Sequence, residues 1–359
     1  MKASDSLGLT QESLVQLQSE FERFWQTFFL SHQARFSQND FFEPLYYDVV
    51  EFASRRAKRI RPILFLASYG IFSRERKIAS NLWQMAAALE LLHSFILIHD
   101  DIIDQSEKRR GLSTFHKLIE SKQGNRFQKE KIGQNIALVM GDILLVLAIE
   151  TFSQAAERSS LKQVVLQKFL SYVTETGMGE VHDILLSASE LGRVNFLEIE
   201  QMYHKKTTRY TIECPLLLGA LLGGKKEEKL FALEAFARPV GMAFQIQNDL
   251  LEFEHFDSND VMFQSDILEG KKTFLLRAAY ENLSDTDRAM LQLCLKPGLG
   301  KTSVYQIHEL IQKSGAVELL NEKVKQLFEE AGAVLVNSPL CEAEQQELLL
   351  LINWIRQQK

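Results

Sequence analysis

Two acidic stretches carry the chemistry that this chain advertises. Asp100, Asp101 and Asp104 lie in His99-Asp100-Asp101-Ile102-Ile103-Asp104, and Asn248, Asp249 and Glu252 lie in Gln247-Asn248-Asp249-Leu250-Leu251-Glu252. Each sits in strongly apolar, helix-like surroundings and repeats an oxygen donor at i and i+4. On a helix that spacing stacks the donors on one face, a turn apart. Acids in such surroundings are costly unless something cationic neutralises them. Hard oxygen donors suit Mg²⁺, which bridges carboxylates to substrate phosphates. The expectation is a diphosphate held between two helices.

Cations stand where a polyanion would need them. Arg55, Arg56, Lys58, Arg59 and Arg61 crowd the run before Ile63-Leu64-Phe65-Leu66, and Arg109-Arg110-Gly111 follows the first acidic stretch. A helix N-terminus adds its own positive end, and arginine offers a two-pronged fork for phosphate. Acid beside base suggests a shared polyanion, gripped by the acids through metal and by the arginines directly. The plainer alternative is a solvated basic patch with surface ion pairs.

The elements that must position these groups read as helical almost throughout. Leu14, Leu17, Phe21, Phe24, Trp25 and Phe28 recur at three- and four-residue steps, predicting an N-terminal helix over about 10–31. Ile307, Leu310 and Ile311 begin a stripe that breaks at Ser314-Gly315. Val317, Leu320, Val324, Leu327 and Phe328 resume it, and Leu348 to Ile355 reads as a closing helix. Breaks are expected at Pro44, Gly223-Gly224, Pro297-Gly298 and Pro339, and a charged loop or flap from Gln105 to Lys131. No composition shift marks a linker. The predicted fold is a single all-α domain over 1–359, with a motif-bearing core of about 55–285 and C-terminal helices of about 303–359.

Composition narrows the function classes. The chain has 359 residues, 46% of them hydrophobic, enough for a large core. Its formal net charge of −6 argues against a nucleic-acid partner. Cys214, Cys294 and Cys341 are odd in number and widely spaced, so neither a disulfide framework nor a zinc site is expected. The first residues lack the apolar core of a signal peptide, and no long uncharged apolar run is expected to span a membrane. A cytoplasmic protein is the expectation.

Seven segments, in order, resemble the trans-prenyl diphosphate synthases (polyprenyl synthetases). They are Lys58-Arg59-Ile60-Arg61-Pro62, then Leu91-Leu92-His93 with Leu97 to Asp104, then Arg109-Arg110-Gly111. Gly141-Asp142-Ile143-Leu144-Leu145, Lys206-Thr207 and Gly241 to Asp249 follow, and Asp266-Ile267 with Glu269-Gly270-Lys271 closes the set. The resemblance implies an antiparallel helical bundle around a deep central cavity, of the isoprenoid synthase type. It also implies head-to-tail joining of isopentenyl diphosphate to an allylic prenyl diphosphate, with Mg²⁺ as cofactor and a homodimer as the assembly.

Roles follow from the resemblance residue by residue. Asp100 and Asp104 would hold metal most directly, Asp101 less so, with Asp249, Glu252 and Asn248 holding the rest. Arg109, Lys206 and Lys271 would meet the allylic diphosphate. Lys58, Arg61, His93 and Arg110 would hold isopentenyl diphosphate. Lys206, Thr207 and Gln245 would face the developing carbocation. Taken alone, His93 would read as a hydrogen-bonded core histidine, and Thr207 and Gln245 as ordinary buried polar groups; His99 is read as structural. Phe95 would act as a floor beneath the growing chain on the face shared by His93, Ile96 and Asp100, implying a C20 product, with C15 next. Met85, Leu89 and Phe95 are candidates for a shared dimer face.

This chain departs from the family pattern at several positions. Asn248 stands for an aspartate and Glu252 for another. Met262 or Phe263 stands where a lysine is usual, Arg56-Ala57 where small residues are, and Ser113 where proline is. Asn248-Asp249 also resembles the start of a class I terpene cyclase motif, which the following positions do not complete. A non-catalytic partner subunit is the other alternative.

Overall fold

The aromatic stripe near the N-terminus buries one face of helix α1 (Gln11–Phe36), with Leu14, Leu17, Phe21, Trp25 and Phe28 turned inward. The Trp25 and Phe28 rings stack 5.7 Å apart, and the indole N–H donates to the Ala53 carbonyl at 3.1 Å. The computed structural model describes residues 9–36, 40, 42–73, 78–109, 111–157, 159–254, 270–295 and 301–358. Within them the fold is all-α apart from one two-stranded hairpin. The chain forms two compact units, one of residues 1–167 with 218–224 and the other of residues 168–217 with 225–359.

In the first unit, α1 packs on α2 (Phe42–Ser54) and α3 (Ile60–Phe72). Helix α4 (Ser80–Ile103) runs against α6 (Lys129–Ala156) along the most extensive helix contact of the unit. Pro44 stands in the first turn of α2 rather than at a break, because there its fixed φ and missing N–H cost nothing. The stretch expected as a charged loop is partly folded. Strand β1 (Lys108–Arg109) pairs antiparallel with β2 (Leu112–Ser113), and α5 (Phe115–Ser121) follows. Helix α5 is held by buried Phe115, His116 and Ile119, too few apolar positions among charged ones for a helical period to show. Met85 and Leu89 are 0% and 1% exposed inside this unit, so neither presents a face to a partner.

The basic run before α3 does not act as one patch. Arg59, at φ +50°, turns inward and pairs with Glu90 at 2.7 Å and Glu22 at 2.8 Å, beneath the Trp25 ring. Helix α6 is long and apolar enough to cross a membrane, which the sequence was not expected to contain. Of its most apolar window 44% is buried in the fold, where it packs on α4 and α5.

In the second unit, α7 (Lys162–Ser187, beginning in the first unit) leads through a single 3₁₀ turn to α8 (Phe196–Tyr203). Asn195 caps α8, accepting from the Glu198 N–H while Glu198 reaches back to the Asn195 N–H. The next ten residues, His204–Glu213, wind as a π-helix before α9 (Cys214–Leu222). Helix α10 (Glu227–Glu254) packs on the π-helical segment and on α14 (Ala316–Val336). Between α10 and α14 come α11 (Phe274–Asn282), α12 (Asp285–Cys294) and α13 (Lys301–Ser314), and α15 (Glu342–Gln357) closes the chain. The predicted break at Ser314-Gly315 is present, with Gly315 at φ +71°.

His116 is 1% exposed, and among the described residues neither ring nitrogen has a hydrogen-bond partner. Burial pushes its pKa down to about 4, with Lys117 acting in the same direction. From the ordinary value of about 6.5 down to about 4, the unfolded chain takes up a proton that the folded chain refuses. This contribution to stability is therefore complete above the ordinary value and disappears as pH falls to about 4. The thermal midpoint is expected to drop over that range, and His116→Leu to flatten the drop; an unchanged pH slope in the variant would contradict the assignment.

Candidate active site

The first acidic stretch ends α4. Asp100 and Asp104 lie a turn apart and are half-buried, whereas Asp101 is fully buried. The hairpin returns Arg109 to this helix end, and its turn contains Gly111 at φ +77°, a conformation glycine adopts without strain. Arg109 Nε donates to Asp101 Oδ1 at 2.6 Å, and its terminal nitrogen donates to Asp100 Oδ2 at 3.0 Å. Burial pushes the Asp101 carboxyl up to about 7, while the Arg109 guanidinium pulls it down. Burial also works against the Arg109 charge, but Asp101 and Asp100 outweigh it and raise the Arg109 pKa. Asp101 Oδ2 is buried with no hydrogen-bond partner among the described residues.

The Gly141-Asp142 pair belongs to this construction. A side chain on Gly141 would stand 2.5 Å from the His99 ring, so glycine lets α4 and α6 meet there. His99 Nε2 lies 3.2 Å from the Leu138 carbonyl and 3.5 Å from Asp142, and its ring packs 4.6 Å from Phe95. Phe95, Ile96 and His93 are half-buried on the same helix. Lys58 is half-buried and Arg61 buried at the start of α3. Arg55 donates to the Ser113 carbonyl at 2.7 Å and so braces the hairpin that delivers Arg109.

The second acidic stretch lies on α10, in the other unit. Asp249 is buried, and its carboxylate is held from two sides. Gln245 donates to Oδ1 at 2.8 Å, and the Tyr203 hydroxyl donates to Oδ2. That hydroxyl also accepts from the Phe274 N–H at 3.1 Å. Asn248 and Glu252 are half-buried. Lys206 and Thr207 lie in the π-helical segment; Lys206 pairs with Asp183 at 2.6 Å and Glu180 at 2.8 Å, both on α7. Lys271 is half-buried, and beside it Lys272 is buried and donates to the carbonyls of Ser187 and Gly270.

The structure thus joins Asp100 and Asp101 to Arg109, and Gln245 to Asp249. Arg110, Asp266, Ile267 and Glu269, with Met262 and Phe263, lie outside the described residues. Tyr203, Glu180, Asp183 and Lys272 escaped sequence reasoning, and Arg55, read as one of a basic run, braces the hairpin instead. Only the nearness of Tyr203 to Lys206-Thr207 offered a signal. Among the described residues no three His, Cys, Asp or Glu side chains converge as a ready metal site. The donor set still fits Mg²⁺: its carboxylates come in spaced pairs, one buried carboxylate oxygen has no partner among the described residues, and Mg²⁺ is ordinarily held by one or two carboxylates with substrate phosphates completing the shell.

Residues 43–313 match the family model of the polyprenyl synthetases. The chain belongs to the polyprenyl synthetase family. A short chain isoprenyl diphosphate synthase of Methanothermobacter thermautotrophicus is 32% identical over 264 residues, 73% of this chain and 74% of its own. A geranylgeranyl pyrophosphate synthase of Geoglobus acetivorans is 29% identical over 292 residues, 80% and 83% of the two chains. The crystal structure of geranylgeranyl pyrophosphate synthase from Corynebacterium glutamicum, complexed with isoprenyl diphosphate and magnesium, aligns with a TM-score of 0.83. It is 26% identical, over 95% of this chain and 98% of that one. The protein is a prenyltransferase with the all-α isoprenoid synthase fold, a trans-prenyl diphosphate synthase similar to short-chain enzymes.

Tyr203→Phe removes a donor from Asp249 and an acceptor from the Phe274 N–H. It is expected to lower unfolding free energy by about 1–3 kcal/mol in urea denaturation. A change below about 0.5 kcal/mol would show that neither bond contributes.

Proposed function

We propose that this enzyme condenses isopentenyl diphosphate with an allylic prenyl diphosphate to give the C20 trans product, C15 being the next shorter outcome. The observation that carries the reading is the end of α4. There Asp100 and Asp104 stand a turn apart, Arg109 is held beside them, and Phe95 and Ile96 precede them on the same helix. Relatives with geranylgeranyl names support the product length.

Asp100, Asp104, Asp249 and Glu252 would hold Mg²⁺, with Asn248 a neutral ligand. Bound there, the metal supplies positive charge against the diphosphate as it leaves. Arg109 and Lys206 bind the allylic diphosphate from the protein side, each already poised among carboxylates. Lys58, Arg61, His93 and Arg110 hold the isopentenyl diphosphate. Thr207 and Gln245 turn oxygen toward the allylic carbon as positive charge develops, and no protein nucleophile is required. Catalysis is then electrostatic positioning in a site that excludes water.

Incubation with Mg²⁺, isopentenyl diphosphate and C5, C10 or C15 allylic diphosphate should yield chains ending at C20. Phe95→Ala should lengthen them. A cyclic hydrocarbon, or no elongation from any primer, would overturn the function, and an unchanged product distribution in the variant would remove Phe95 as the floor. Asn248→Asp should raise the apparent Mg²⁺ affinity, on the order of tenfold, because affinity for hard cations rises with the number of charged ligands; an unchanged Mg²⁺ dependence would show that position 248 is no ligand.

A further inference from the structure

The segment carrying Lys206 and Thr207 is wound as a π-helix from His204 to Glu213, and the two ends of that winding touch. His204 Nε2 lies 2.7 Å from Glu213 Oε1, so the ring N–H donates to the carboxylate. Glu213 is fully buried and also lies 3.3 Å from Arg209. Nine residues separate the two clasp partners. In an α-helix of 3.6 residues per turn this is two and a half turns, which places the ends on opposite faces. With i→i+5 bonding, at about 4.4 residues per turn, nine residues make close to two full turns and bring them together. The contact therefore exists only in the π register.

The neighbouring helices are cut to fit that register. A side chain on Gly179 of α7 would stand 2.6 Å from Lys206 Cα, and one on Gly241 of α10 would stand 2.7 Å from Thr208 Oγ1. The segment is thus seated with its backbone against Gly179 and the Thr208 side chain against Gly241, in the winding that sends Lys206 toward Glu180 and Asp183. Arg209 pairs farther along α7 with Glu175, and with Glu234 of α10, over the Tyr172 ring. Rewinding to an α-helix would turn each of these side chains about the axis and break the fit.

We infer that His204, through its clasp on Glu213, is a positioning residue that holds the π register and thereby aims Lys206 and Thr207. This rests on the assignment of Lys206 and Thr207 to the allylic diphosphate and its carbocation. π-Helical turns concentrate at functional sites because their cost is met by the arrangement they create.

The test compares wild type with His204→Leu, which removes the donor, and His204→Gln, which keeps one. Steady-state elongation and amide hydrogen exchange are both read. His204→Leu should lower kcat at least tenfold with the KM for isopentenyl diphosphate within twofold. It should also speed exchange across 204–213 while leaving Ala316–Val336 unchanged, and His204→Gln should recover most of kcat. A kcat within twofold of wild type in His204→Leu, or a Gln variant as slow as the Leu variant, would overturn the inference. His204→Asn, polar but too short to reach Glu213, carries the same expectation as the Leu variant should that one not fold. A wild type that elongates no primer would defeat the proposed function instead, and the exchange comparison would still decide whether the clasp holds the segment.

Discussion

Charge buried among helices must be matched by opposite charge, and the working parts of this protein are arranged around that requirement. A carboxylate taken out of water costs several kcal/mol unless paired and hydrogen-bonded. Asp101 meets it through Arg109, Glu90 through Arg59, Glu213 through Arg209, and Lys206 through Asp183 and Glu180. The pairs differ in consequence. Arg59 and Glu90 are both sealed inside the first unit, where the pair fixes the entry to α3. Arg109 and Lys206 keep part of their surface open to solvent while they pair with their resident carboxylates.

Close helix contact is the second constraint, and it comes from glycine. Gly141 makes room for the His99 ring between α4 and α6, and Gly219 brings α9 against α3, where a side chain would meet the Phe65 carbonyl at 2.5 Å. Gly179 and Gly241 do the same for the π-helical segment. Interiors packed at crystal-like density pass such fits on as fixed side-chain directions. Lys206 and Thr208 therefore take their places from neighbours with no side chain.

Much of this was legible beforehand. Helical periodicity located α1, α13, α14 and α15, with the break at Gly315, because buried faces repeat every three or four residues. The paired acids stood out because carboxylates are costly in apolar helices. The hairpin and α5 were hidden: three buried residues in a charged stretch leave no period, and the pairing of Arg109 with Leu112 depends on a turn. Arg59 could not be told from its basic neighbours, since only a positive φ sends it inward. The π register was invisible because ten residues are too few to separate one helical period from another, and His204 and Glu213 look unrelated until the winding joins them. Tyr203 stayed hidden because its partner Asp249 is distant in sequence.

The account stands or falls on whether the acidic stretches act through metal on a diphosphate. Calorimetric titration of an unreactive allylic thiodiphosphate into the protein, with and without Mg²⁺, tests this without turnover. Binding should be at least tenfold tighter with Mg²⁺, and Asp104→Asn should lose most of that gain. Equal affinity with and without Mg²⁺ would contradict the account.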